Sequence, residues 1–174
     1  QGDVAGVDLS TVPKQHKGRA EAILFNRALQ ENDATRKLQL LSVFEKEFAN
    51  SAHLTKVRYM FFLTHQERGD HVKALAAAEA VLERDRSRED VLFYAAQSYF
   101  SAKQDHTKVI TYSGAILDLI KTKSRPEHIS EEDWQKQNAL LTLQSHWMMG
   151  STRLSQEQWA EADKSLRAAL AASA

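Results

Sequence analysis

Cysteine is absent from the 174 residues, which excludes disulfides, thiol catalysis and Cys-ligated zinc. Proline occurs twice and glycine six times. That is too few turn formers for an all-β chain, which needs one about every 8–12 residues. Net charge is missing too: 23 basic residues face 23 acidic ones, which removes the usual electrostatic ground for binding nucleic acid. No window reaches the roughly 20 apolar residues of a membrane-spanning helix. What is there is 43% hydrophobic, enough to bury a core. The composition specifies an all-α fold.

Helical periodicity runs from about residue 16 onward and breaks where turn chemistry stands. Asn32-Asp33 precedes a run with Leu38, Leu41, Phe44 and Phe48 on one face, closed by Asn50-Ser51. The next helix carries Val57, Phe61 and Leu63 and stops at Gly69, a left-handed C-terminal position; Asp70 caps its successor. That helix has a narrow face of Ala74, Ala77, Ala78 and Val81, and the following one has Leu92, Ala95, Ala96 and Tyr99. Asp105 opens a helix through Val109, Ile110, Ile116, Leu117 and Ile120, and residues 121–130 form the one clear linker. Ser130-Glu131-Glu132-Asp133 resembles a capping box with acids where the helix dipole favours them. A long helix to about Leu154 and a last one carrying Trp159, Ala162, Leu166 and Leu170 complete about eight helices in four hairpins. Short connections make neighbours antiparallel.

Residues 1–13 show no helical period and are expected to form an extended or mobile lead-in. A start on Gln1 fits either a cropped chain or a mature one whose signal peptide has been removed. The second alternative places the protein outside the cytoplasm, periplasmic or secreted, and is the expected localisation; the first leaves the cytoplasm open.

The chain also repeats itself. Asp70-His71 recurs as Asp105-His106, 35 residues on, with Lys73 matching Lys108, Leu75 matching Ile110 and Leu82 matching Leu117. Helix starts near Thr55 and Glu89 are 34 apart. The stretch GSTRLSQEQWAEADKSLRAAL (150–170) sets Gly150, Trp159, Ala162, Leu166, Ala169 and Leu170 at matching intervals. In spacing and pattern the chain resembles the tetratricopeptide repeat family, whose unit is a helix-turn-helix of about 34 residues. The resemblance covers about 18–172, in units near 18–51, 55–88, 89–121 and 131–172. It implies one domain, 14–174, of antiparallel hairpins stacked as a short right-handed superhelix. It also implies that Phe61 and Leu166 are core residues and that Ala162 lets its helix approach closely against Gly150. Phe62 departs from the pattern by standing where the family has a small residue, and Val109 replaces the usual alanine. His71 and His106 fall where the family has a large aromatic residue and are expected to pack.

Stacked hairpins of this kind form a groove lined by their first helices. Carried over residue by residue, the resemblance puts Tyr59, Leu63, Phe93, Gln97, Phe100, Trp147 and Ser151 in that groove. Aromatics there supply contact area at low entropy cost. Units that clamp acidic chaperone tails carry lysine and asparagine at the positions held here by Tyr59, Leu63, Phe93 and Gln97, so that subtype is not matched. No His-Glu-x-x-His pattern, no histidine pair four apart, no Gly-rich phosphate loop and no Gly-x-Ser-x-Gly elbow occurs. The expectation is a non-catalytic scaffold without metal or cofactor that binds a protein or peptide. A domain closing Tyr59, Phe93 and Trp147 around a small apolar ligand, and self-association through the apolar C-terminal helix, are the alternatives.

Overall fold

A computed structural model describes the backbone of residues 14–173 and the side chains of 17–173; the expected lead-in of residues 1–13 lies outside the described residues. The described residues are 78% helical with no strand among them. The helices are α1 (Lys14–Gln30), α2 (Ala34–Glu47), α3 (Leu54–Glu67), α4 (His71–Leu82), α5 (Glu89–Ala102), α6 (His106–Thr122), α7 (Glu131–Ser155) and α8 (Trp159–Ala171). The starts follow from capping. Asp33, Asp70 and Asp105 each accept a hydrogen bond from the backbone N–H three residues on, of Arg36, Lys73 and Lys108. Ser130 accepts from the Asp133 N–H in the same way; its hydroxyl also donates to the Asp133 carboxylate, 2.7 Å, so the return bond of a full capping box is not made. Gly69 has φ +69, the left-handed conformation that lets α3 end and α4 begin within three residues.

The chain forms two compact units, one extending to Arg84 and the other beginning at Asp85. In the first, α2 packs on α1 and α3, and α3 on α4. Its core joins Phe25 and Ala28 of α1, Leu40, Leu41 and Phe44 of α2, and Val57 and Met60 of α3. Arg58 braces the unit by pairing with Glu45 at 3.1 Å and donating to the Ala80 carbonyl at 3.1 Å.

The structure alters two expectations here. Phe62, not Phe61, is the fully buried ring of α3 at 1% exposure. Phe61 is half-buried at the edge of the core, with His65 stacked on it at 6.2 Å. Helix α4, which packs on α3, buries two small residues, Ala74 and Ala78, together with Val81 and Leu82. His71, expected to pack, is exposed on the first turn of α4.

In the second unit α5 pairs with α6 and α7 with α8, while α7 also lies against both α6 and α5. Its buried side chains include Val91, Leu92, Ala95 and Ala96 of α5, Val109, Tyr112 and Ile116 of α6, Met148 of α7, and Ala162 and Ala169 of α8. The close approach of α7 to α8 is at Gly150, as expected, but its nearest partner is Leu166 rather than Ala162. A Cβ on Gly150 would stand 2.7 Å from Leu166 Cγ and 3.2 Å from its backbone N. Arg153 fixes the same hairpin by donating to the buried Ser165 hydroxyl at 2.7 Å.

Candidate functional site

The site is built on α5 and α7 within the second unit. Glu89 and Asp90 occupy the first turn of α5, where the helix dipole favours acids. Burying Val91, Leu92, Ala95 and Ala96 turns one side of α5 inward. Phe93, Gln97 and Phe100, four and three residues apart, then line another side, Gln97 exposed and both rings half-buried. On α7, burial of Ser145, Met148 and Thr152 leaves Trp147 47% exposed and Ser151 half-buried.

Two of these side chains meet. The rings of Phe100 and Trp147 are 4.8 Å apart between centroids, edge to face at 63°. That is the geometry aromatic quadrupoles prefer. Phe100 and Ser151 also line a cavity of about 550 Å³ at the α5–α6 turn. Its other walls are Tyr99 and Ser101 of α5, Lys103 and Gln104 from that turn, His106 and Val109 of α6, and Thr152 and Ser155 of α7. Five of the seven expected groove residues therefore belong to this unit: Phe93, Gln97 and Phe100 on α5, Trp147 and Ser151 on α7. Tyr59 and Leu63 are half-buried residues of α3, in the first unit, where the Tyr59 ring lies 5.9 Å from that of Phe62.

The cavity itself was not legible in the repeat. His106, expected to pack, is half-buried in the cavity wall. The turn holds Lys103 at φ 52 and Asp105 at φ 39, left-handed conformations that are costly for residues with a Cβ. Lys108 Nζ donates to the Tyr99 hydroxyl at 2.9 Å and lies 4.8 Å from the centre of its ring.

Beside Trp147, burial and then the positive charges of Lys121 and Arg153 hold the His146 imidazole below its ordinary pKa of 6.5. His65 in the first unit is lowered also, chiefly by burial, against the opposing pull of Asp70. Folding therefore favours both neutral imidazoles. This contribution is present above pH 6.5 and is lost as pH falls through the lowered folded-state values. Melting temperature is expected to drop on mild acidification below pH 6.5, and the double replacement His65→Gln/His146→Gln to flatten that slope in a calorimetric pH series.

Among the described residues no three His, Asp or Glu side chains converge as a metal site, and no helix is long and apolar enough to cross a membrane. In comparisons with known proteins, no family model matches the chain and no curated protein matches it either.

Proposed function

We propose that the chain is a non-catalytic binding module of tetratricopeptide type, which takes a peptide segment of another protein along the face formed by α5 and α7. The observation that carries this reading is the Phe100–Trp147 pair. A tryptophan ring left 47% exposed and fixed edge to face on a second ring, itself part of a cavity wall, has the character of a binding anchor. The packing of α7 on both helices of the α5–α6 hairpin supports the reading, because stacked hairpins of the family make the same kind of contact.

A peptide is favoured over a small apolar ligand because the Trp147 ring stands 47% exposed rather than enclosed, whereas a small-molecule pocket buries most of its ligand. Self-association would draw on α8, which leaves Trp159 and Leu170 exposed at 64% and 70%.

The test is selection from a display library of short random peptides, followed by mapping of the amide shifts that the selected peptides perturb. Perturbation is expected in α5 and α7. The double variant Phe93→Ala/Trp147→Ala should weaken binding by roughly 1–4 kcal/mol while leaving the circular dichroism spectrum unchanged. Binding that perturbs other helices, or that survives the double replacement, overturns the proposal.

A further inference from the structure

The cavity beside the aromatic pair combines apolar surface with one lysine, Lys103, and several hydroxyl-bearing side chains, and no carboxylate lines it. Lys103 stands in its wall, and no ion pair among the described residues engages it. His106 stands in the wall beyond the turn, and Lys108 is held against Tyr99, itself a lining residue. The acid closest in sequence, Asp105, is committed to the α6 cap, where its carboxylate accepts the Lys108 N–H at 3.2 Å. The first turn of α6, the positive end of a 17-residue helix, opens at the same place. On the opposite wall α7 supplies the hydroxyls of Ser151, Thr152 and Ser155. Ser155 donates to the Thr152 carbonyl at 2.7 Å, so its oxygen faces any ligand as an acceptor while Ser151 and Thr152 can donate.

We infer that this cavity receives an aspartate or glutamate side chain of the bound peptide, set within a residue or two of a large apolar side chain that rests on Phe100 and Trp147. This rests on the reading of α5 and α7 as a peptide-binding face. The aromatic pair supplies apolar contact but cannot choose between peptides of similar hydrophobicity. The adjoining cavity can. A carboxylate entering it meets an uncommitted ammonium group and two hydroxyls in partial shelter from water, where a charge-assisted bond is stronger than at an open surface. A lysine or arginine entering the same space meets the Lys103 ammonium and no lining carboxylate. The selectivity arises at the α5–α6 turn and not from lysine or asparagine on the groove face of the first helices.

The experiment uses the whole chain and peptides selected from the random library. Each selected peptide is synthesised twice, once as found and once with its acidic side chains converted to amides. Acidic residues are expected to be enriched beside apolar ones, and the amide forms to bind about tenfold to a hundredfold more weakly, the measure of one charge-assisted hydrogen bond. Lys103→Glu should abolish that difference without changing the circular dichroism spectrum. Lys164→Glu, the same charge change at an exposed position of α8, should preserve it. Peptides that need Trp147 yet bind equally as acids and amides would overturn this inference and leave the proposed function standing. Failure to select any peptide sensitive to Trp147→Ala would overturn both.

Discussion

Replacing Phe44 by alanine is expected to lower the free energy of unfolding by about 3–5 kcal/mol, the range for removing a large ring from a packed core. Phe44 has no exposed surface. Its ring lies 5.9 Å from that of Phe25 on α1 and 5.2 Å from that of Phe48 at the end of its own helix. It belongs to one cluster with Phe25, Ala28, Leu40, Leu41, Val57 and Met60, drawn from three helices. The cavity left by truncation would be bounded by several elements, so no single side chain could shift to refill it. Phe61→Ala is the matching control. That ring touches the same cluster from its edge and keeps part of its surface in water, so the loss should be about half as large or less. Urea unfolding of the two variants measures the difference; equal losses would mean that the core is not organised around Phe44.

Gly150→Val is expected to destabilise the fold by about 1–3 kcal/mol or more, the usual cost of overpacking. The first added carbon already stands 2.7 Å from Leu166 Cγ, 2.8 Å from Cδ2 and 3.2 Å from the backbone N. Rotating the leucine relieves the first two contacts but not the third, which belongs to α8 itself. The branch of valine adds atoms on the same side. Gly114, inside α6, is the control, because a Cβ there meets nothing within 4 Å. Gly114→Ala should therefore stabilise by roughly 0.5–1 kcal/mol, the helix-propensity gain alone. Opposite signs from two helical glycines in thermal melts would confirm that Gly150 is held small by the α7–α8 packing.

The parts of this fold that were readable in advance depend on single local bonds. Asp33, Asp70, Asp105 and Ser130 each needed only an oxygen three residues before a backbone N–H, and all four caps are made. Phe61 and Phe62 were harder. Adjacent helical positions differ by roughly 100° around the axis, and two neighbouring phenylalanines satisfy the hydrophobic period almost equally. The choice between them depends on how α3 packs against its neighbours, a tertiary fact. At Gly150 the repeat pattern showed that a helix approaches closely but not which side chain fills the gap, and Leu166 took the place expected of Ala162. The resemblance puts Phe100 and Trp147 in one groove, but their ring contact is a structural finding. The cavity beside the pair was not readable, because its wall combines turn residues with α7 hydroxyls, and neither carries a periodic signal.

The placement of the aromatic residues also divides the molecule spectroscopically. Its three tryptophans are Trp134, Trp147 and Trp159, all on α7 or at the first residue of α8. Indole emission thus reports on the second unit alone, while far-ultraviolet circular dichroism samples the helices of both. Without any introduced label, one denaturation series recorded both ways can show whether the two units lose structure together. Coincident transitions identify a single cooperative body. A residual helical signal after the indoles have become fully hydrated identifies the first unit as able to stand by itself.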